Sequence, residues 1–248
     1  MGSGGQAFAV RVLIQAGAGT LWAAGQRVNL DETEAHHLRV RRAREHEGVE
    51  VLDGAGLVGT GRLVRVGADW VVDIETAERQ TRRPELILAV AAGDRERFSW
   101  MAEKAVELGV TAIVPLETER TAGVATRFRA AHVAKVRRTV LEATKQCGAA
   151  WAPTVESPVS LSDFVGRPIP GRGWLADLSG LTPPAALDET PLSVVIGPEG
   201  GFTSEERSVL IEVGYKPMVL GSNTLRFETA AIAAAAVAAT ARMRGERD

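Results

Sequence analysis

The sequence predicts an α/β fold, in which a mainly parallel sheet follows a smaller β-rich part. Three observations carry this prediction. Short runs rich in β-branched residues, separated by Gly and Asp, fill most of the first 80 residues. A proline-containing linker, residues 80–84, comes next. Beyond it, strand-like and helical patterns alternate up to the C-terminus, which is the arrangement that builds parallel sheets.

The first part is predicted to hold one helix and several short strands. The strands are assigned to residues 49–53, 61–66 and 70–74. Asp31 followed three residues later by Glu34 is typical of a capping box, and it predicts a helix over residues 32–42.

Glycines at 54, 56 and 59 match the GxGxxG pattern of dinucleotide-binding loops. Such a loop must lead directly into a helix, because the helix N-terminus binds the pyrophosphate. Residues 60–66 instead alternate as a strand does, and Asp53-Gly54 is a strong turn signal. We therefore predict a β-hairpin here, which argues against a Rossmann dehydrogenase.

The second part is predicted to alternate strands with helices. Thr203 and Glu206 form a second capping box, which opens a helix that continues to about Val213. A long alanine-rich helix is apolar on nearly every face, which is typical of a buried helix and here favours a dimer interface over a central helix of one subunit. The strands are expected at 86–91, 112–115, 174–177, 193–196 and 218–220, and the other helices at 98–108, 130–146 and 228–243.

Composition restricts the class of protein. The chain has 248 residues, 45% of them hydrophobic and 24% charged, which excludes a disordered tail protein. The single cysteine, Cys147, excludes an intrachain disulfide framework and a Cys-rich zinc site. No run approaches the roughly 20 apolar residues that span a bilayer, and the first 20 residues do not form a signal peptide. We expect a soluble cytoplasmic protein without a membrane partner.

The charge is unevenly distributed along the chain. The net charge is −2, yet residues 82–150 carry 12 basic and 8 acidic side chains, while the segments on either side are net acidic. Clustered arginines suit phosphate binding, because the guanidinium fork binds pairs of oxygens; solvated helix faces are the alternative. The candidate RNA-binding residues are Arg39, Arg41, Arg42, Arg44, Arg127, Arg129, Arg137 and Arg138.

Two loops carry the strongest functional signal. The first, Gly197-Pro198-Glu199-Gly200-Gly201, follows a buried strand and precedes the helix that Thr203 caps. Such loops at the carboxyl ends of strands are where α/β sheets bind ligands, and glycines let backbone groups approach a flat molecule. The second, residues 219–230, reads VLGSNTLRFETA and contains one basic residue, Arg226. Glu228 is expected near the N-terminus of the final helix.

These loops, together with KAVELGV at residues 104–110, resemble the RsmE family of 16S ribosomal RNA uridine-N3 methyltransferases of the SPOUT class. The resemblance covers nearly the whole chain. HHLRV at residues 36–40, followed by the 49–54 segment, is similar to the family's small PUA-like β domain. The resemblance implies a PUA-like β-barrel RNA-binding domain over residues 1–80. Residues 81–248 would then form a SPOUT domain with a deep trefoil knot, S-adenosylmethionine bound in the knot and a homodimeric assembly.

The resemblance also assigns site residues. The strand end near Ala176 and Asp177 should close one side of the cofactor pocket. From their location on the two ligand-side loops, we expect Arg226 to stabilise negative charge on the carbonyl oxygens of uracil, and Glu199 to orient the substrate or assist proton removal. No metal is needed. The cofactor pocket would be formed by Gly197, Pro198, Glu199, Gly200, Gly201, Leu220, Gly221, Leu225 and Arg226.

The sequence departs from the family pattern at three places. Asp94 stands near the position of a usual Lys, Ala149 and Ala150 follow Gln146-Cys147-Gly148 where an Arg is usual, and Ser222-Asn223-Thr224 replaces a usual Pro-Arg pair. These departures affect expected RNA or substrate contacts and leave the cofactor motifs intact. The alternatives are a SPOUT enzyme acting on transfer RNA or a ribose hydroxyl, and a non-catalytic RNA-binding module. The expected partner is 16S ribosomal RNA within the small subunit.

Overall fold

The computed structural model describes residues 10–14 and 22–245 and divides into two compact units. In the described residues, the first unit comprises 10–14, 22–82 and 144–152, and the second comprises 83–143 and 153–245. The sequence-based boundary fell at residue 80 and left 144–152 in the second domain. The expectation about a signal peptide concerns residues most of which lie outside the described part. Among the described helices, none has the length and apolarity that a membrane crossing requires.

The first unit is built on a five-stranded sheet in the order β1-β3-β4-β5-β2. Strands β1 and β3 run parallel, and every other neighbouring pair is antiparallel. One helix, α1 (Glu32–Val40), is capped by Asp31, whose carboxylate accepts the Glu34 N–H at 2.8 Å. The strands are β1 (Arg11–Leu13), β2 (Arg27–Asn29), β3 (Gly48–Leu52), β4 (Leu57–Val66) and β5 (Asp69–Arg79).

In the core of the first unit, the inward-facing residues of these strands pack around two tryptophans. Trp22 and Trp70 are buried there together with Leu38 of α1. Strands β3 and β4 form the predicted hairpin, with Leu52 opposite Val58. The dinucleotide-loop reading of these glycines is thereby excluded.

The second unit is built on a parallel sheet in the order β12-β10-β11-β6-β7-β8, with β9 also pairing with β7. All its strand pairs are parallel, as the alternating pattern predicted. All five residues of β11 are buried, because a parallel sheet is covered on both faces. The strands are β6 (Leu86–Ala91), β7 (Ala112–Glu117), β8 (Thr154–Val155), β9 (Val159–Ser160), β10 (Arg172–Leu181), β11 (Leu192–Ile196) and β12 (Lys216–Met218).

Helices cover this sheet. Helix α7 packs against α2, β6 and β11, whereas α5 packs against β7, β9 and α6. The capping box of Thr203 and Glu206 is present in full, and α2 begins after Asp94, which caps it. The helices are α2 (Arg95–Glu107), α3 (Glu119–Ala122), α4 (Val133–Cys147, after a 3₁₀ turn at Ala130–His132), α5 (Leu161–Val165), α6 (Ser204–Glu212) and α7 (Phe227–Gly245).

One strand lies at a different place from the one that the sequence predicted. Strand β12 was expected over residues 218–220, but it pairs with β10 through Lys216, Pro217 and Met218. The pairing with β10 decides the position, and a proline at this sheet edge does not prevent it. The trefoil knot stays a prediction, because strand order alone does not test the threading of the chain.

Candidate functional site

A cavity of about 330 Å³ lies at the carboxyl edge of the parallel sheet in the second unit. This volume is within the range of small-molecule sites, roughly 300–1,000 Å³. Because parallel strands end at the same edge, three segments that are distant in sequence meet here: the second half of β10, the loop after β11 and the loop after β12. The edge predicted to bind a ligand therefore contains a cavity.

The walls of the cavity are mainly apolar. The side chains come from the strand ends, from the loop after β12 and from the first turns of α7. Polar groups are few and stand at defined places, as is usual in ligand sites. The apolar wall is formed by Leu175, Ile196, Leu220, Leu225, Phe227 and Ala230, and the charged groups are Asp177, Glu199 and Arg207.

Asp177 and Arg207 form an ion pair on the wall. The Arg207 Nε donates to Asp177 Oδ2 at 2.6 Å, and Ser179 donates to Oδ1 from both its backbone N–H and its hydroxyl. Partial burial acts to raise the pKa of Asp177, but the hydrogen bonds from Arg207 and Ser179 outweigh it and lower that pKa. Asp177 is therefore a carboxylate at neutral pH.

The loop after β11 is held by contacts on its outer side. Gly201 has φ +72°, and its N–H donates to the Pro198 carbonyl at 2.7 Å, which closes a tight turn. The Arg120 guanidinium of α3 donates to the Gly200 carbonyl. Glu206 accepts the N–H of Glu119 at 2.8 Å through one oxygen, and that of Thr203 at 3.0 Å through the other. Helix α3 and the start of α6 thus fix this loop.

Glu199 is the exposed acid of this loop. Its carboxylate accepts no hydrogen bond from any residue that the structure describes. It lies against Gly93, where a Cβ would come within 2.8 Å of Glu199 Oε2. The absence of a side chain at Gly93 therefore makes room for the carboxylate.

The two charged residues at the end of the second loop, Arg226 and Glu228, have different surroundings. Arg226 is exposed, and it stands between Leu225 and Phe227, which both line the cavity, without itself being on the wall. Glu228 is 8% exposed, and its Oε1 accepts from Arg97 of α2 at 2.9 Å. The other oxygen, Oε2, is buried and has no hydrogen-bond partner in the described part of the chain.

Most of the sequence-predicted cofactor residues come together at the cavity. Gly197, Pro198, Glu199, Gly201, Leu220, Gly221 and Leu225 line it, and so do Ala176 and Asp177. Gly200 and Arg226 stand beside the wall. The sequence did not identify Phe202, Arg207, Asn223, Thr224 or Phe227 as lining residues. No sequence signal links Arg207 with Asp177, because their contact depends on how α6 packs beside β10.

The candidate RNA-binding arginines differ in their surroundings. Arg39, Arg42 and Arg44 are exposed after or near the end of α1, whereas Arg41 forms an ion pair with Glu47. In the second unit, Arg137 donates twice to the Val155 carbonyl, at 3.0 and 2.7 Å. Arg127 donates to the Ala122 carbonyl, and Arg129 and Arg138 are exposed.

Each of the three departures from the family pattern also has a place in the structure. Asp94 accepts the N–H groups of Glu96 and Arg97 at 2.9 Å, so it serves as the N-cap of α2. Ala149 belongs to the segment 144–152 of the first unit. Asn223 and Thr224 line the cavity.

Comparisons with known proteins identify the family of this chain. A family model described as an RNA methyltransferase domain matches residues 80–239, and one described as an RNA methyltransferase PUA domain matches residues 30–69. A protein of Synechocystis named ribosomal RNA small subunit methyltransferase E is 34% identical over 82% of this chain and 69% of its own length. One of the same name from Aquifex aeolicus is 30% identical over 84% of this chain and 92% of its own.

Solved structures show the same likeness. A ribosomal RNA small subunit methyltransferase E from Neisseria gonorrhoeae, bound to S-adenosylmethionine, has a TM-score of 0.78 and 26% identity, covering 92% of this chain and 95% of its own. A protein of Legionella pneumophila in complex with the same cofactor also has a TM-score of 0.78, with 28% identity over 92% of this chain and 96% of its own.

Proposed function

The chain belongs to the ribosomal RNA small subunit methyltransferase E family, and from this premise we propose that it methylates N3 of a uridine in 16S ribosomal RNA with S-adenosylmethionine. The observation that carries the proposal is the cavity at the carboxyl edge of the sheet, which the two motif loops enclose. The proposed substrate is the small ribosomal subunit, and the reaction is proposed to occur in the cytoplasm.

The residues present fit the cofactor. Gly221 lines the cavity. The nearest atoms to a Cβ at this position would be those of Leu225, at 3.6 Å, so the protein itself leaves room there for a methyl group. The apolar wall suits an adenine ring, and Asp177 and Arg207 offer charges of both signs to an amino-acid group. When bound, S-adenosylmethionine supplies an electrophilic methyl group on a sulfonium centre.

The chain's own residues prepare the uracil. The ring nitrogen must lose its proton before it attacks, and the resulting charge spreads onto the flanking carbonyl oxygens. Arg226, exposed beside the cavity, is proposed to stabilise that charge, and Glu199, whose carboxylate is not used by the fold, is proposed to orient the base or accept the proton.

A methylation assay tests both the activity and its target. The purified protein is incubated with labelled S-adenosylmethionine and small ribosomal subunits that lack the modification, and the label is mapped. Label on a uridine base supports the proposal. Label on transfer RNA or on a ribose hydroxyl supports the alternative SPOUT activity, and cofactor binding without any label supports a non-catalytic module.

The two proposed roles are tested by substitution. Arg226→Ala should reduce turnover with little change in cofactor affinity, and Arg226→Lys should restore part of it. Glu199→Gln should reduce turnover if Glu199 accepts the proton, because an amide does not act as a general base. Full turnover of Arg226→Ala, or of Glu199→Gln at every pH, would remove the respective role.

A homodimer and an RNA-binding first unit complete the proposal. Helix α7 buries one face within its own subunit, while Ile232, Ala233, Ala236 and Val237 are only half-buried on the other. Small apolar side chains on that second face support a helix contact with another copy. Sedimentation analysis of Val237→Glu tests this, since a charge there should shift the assembly towards the monomer. The exposed Arg39, Arg42 and Arg44 support RNA binding by the first unit.

A further inference from the structure

A tryptophan and two arginines form a surface cluster in the first unit. The guanidinium carbons of Arg79 and Arg82 lie 6.0 and 5.6 Å from the centre of the Trp151 ring. Both are cation–π distances. Both arginines are exposed and the tryptophan is half-buried. We call Arg79, Arg82 and Trp151 the indole cluster; none of the three was a sequence-based candidate for RNA binding.

The ring of Trp151 is fixed by the fold. Two backbone hydrogen bonds, of 2.9 and 2.8 Å, join residues 54–56 to residues 150–152. The indole N–H donates to the Gln80 carbonyl at 3.1 Å. Gly56 has φ +101°, and a Cβ there would come within 2.2 Å of the ring. The cluster is therefore organised before any partner arrives, which lowers the entropic cost of binding.

The charges of the cluster are not neutralised by acids. Arg79 donates to the Ala55 carbonyl at 2.9 Å, and neither Arg79 nor Arg82 forms an ion pair with any residue in the described ranges. Other arginines of this unit do have acidic partners. These are Arg11, Arg27, Arg41 and Arg62, paired with Glu50, Asp73, Glu47 and Glu75.

We propose that the indole cluster binds a single-stranded stretch of ribosomal RNA. Single strands expose base faces that stack on aromatic rings and on guanidinium planes, while their phosphates pair with the same cations. An acidic peptide would use the charge but not the flat stacked surface. The inference rests on the proposed ribosomal RNA substrate.

The test compares charge-removing variants of the full-length protein. Arg79→Ala with Arg82→Ala should raise KM for unmodified small ribosomal subunits at least about fivefold with kcat unchanged. The slope of log affinity against log salt should fall by about 1.4 for two lost phosphate contacts. Arg27→Ala with Arg62→Ala removes the same charge from ion-paired sites of the same sheet and should leave KM nearly unchanged.

Further measurements distinguish the contribution of base stacking from that of charge. They also distinguish RNA binding by the indole cluster from the proposed methyltransferase activity. The double variant Arg79→Lys with Arg82→Lys should keep the slope of log affinity against log salt. It should still raise KM, because lysine lacks the planar guanidinium group on which a base stacks. Filter retention of protein-free 16S ribosomal RNA measures binding without methyl transfer, so the inference can fail while the activity stands, or the reverse. Unchanged affinity of the double alanine variant overturns the inference. A loss seen with subunits but not with protein-free RNA would assign the surface to a ribosomal protein and also overturn it.

Discussion

Two glycine-rich loops of this chain look alike in sequence and do opposite things. The glycine-rich segment from Gly54 to Gly59 follows β3, and its last three residues already belong to the antiparallel strand β4. The loop from Gly197 to Gly201 follows β11 and leads into α6 at the edge of a parallel sheet. The difference lies in what each glycine makes room for. In the hairpin, a Cβ at Gly56 or Gly59 would come within 2.2 Å of Trp151 or of the Thr76 carbonyl oxygen, whereas in the second loop the nearest atoms to a new Cβ lie 3.1 Å or farther away, and at Gly221 they lie 3.6 Å away.

The acids of the two loops differ in the same way. Asp53 is buried, and its carboxylate accepts the N–H groups of Ala55 and Leu57 at 2.6 and 2.8 Å, so it serves the turn itself. Glu199 is exposed and serves no N–H of its own loop among the described residues. A polar residue that the fold does not use is the better candidate for chemistry.

The strongest test of this comparison is Gly59→Ala. A Cβ at this position would lie 2.0 Å from the Thr76 carbonyl oxygen and 2.8 Å from Trp22. Because backbone cannot move aside easily, we expect a loss of about 3 kcal/mol in unfolding free energy, measured by urea denaturation with tryptophan fluorescence. Gly123→Ala, with no atom within 4 Å of the new Cβ, is the matched control. Equal stability of the two variants would contradict the comparison.

The second test removes the acid of the hairpin. Asp53→Ala removes the carboxylate acceptor of two N–H groups, of which that of Leu57 is buried, and should cost about 2 kcal/mol in unfolding free energy. Glu199→Ala should leave stability nearly unchanged and affect turnover instead. Denaturation curves of both variants, together with the methylation assay, decide the matter; a large loss of stability in the Glu199 variant would show that the fold does use this acid.

The third test fills the space at Gly221. Alanine fits the fold here, since its methyl group would meet only ordinary contacts with Leu225. Affinity for S-adenosylmethionine should fall about tenfold, which corresponds to about 1.4 kcal/mol, while the unfolding free energy changes little. Calorimetric titration measures the affinity. Unchanged affinity would show that Gly221 does not approach the cofactor.

The smallest expected effect concerns the cavity wall and pH. Folding lowers the pKa of Asp177, so its stabilising contribution is present above the unfolded value of about 3.9 and is lost as pH falls through the folded pKa. Asp177→Asn should therefore show a shallower loss of stability on acidification, by less than about 1 kcal/mol because Arg207 is partly exposed. Parallel acid-unfolding curves for the two proteins would disprove this.

The sequence could predict the layout because local signals and tertiary structure agreed in most elements. The N-cap at Asp31 and the capping box at Thr203 mark helix starts through contacts within four residues. Strands β4 and β5 extend beyond their predicted bounds, to Leu57 and Arg79, because cross-strand pairing continues where glycines and charges weaken the local pattern. Local chemistry therefore predicted where elements occur better than where they end.

The candidate site could be predicted in its loops but not in its partners. The glycine and proline motif carries its conformation in its own residues. The contacts of Arg207 with Asp177, of Arg97 with Glu228, and of Arg120 with the Gly200 carbonyl join residues 30, 131 and 80 positions apart. Such pairs depend on the packing of whole elements, which a single sequence does not reveal.

The two carboxylate oxygens of Glu206 have a consequence for the kinetics of the site. By accepting N–H groups from Glu119 and Thr203, they connect the loop after β7 to the loop after β11. The rim formed by residues 222–224 is exposed and has no hydrogen bond to any part of the chain that the structure describes. We expect the cofactor to enter and leave past this rim. Substitutions at residues 222–224 should therefore change the residence time of the bound cofactor more than its equilibrium affinity.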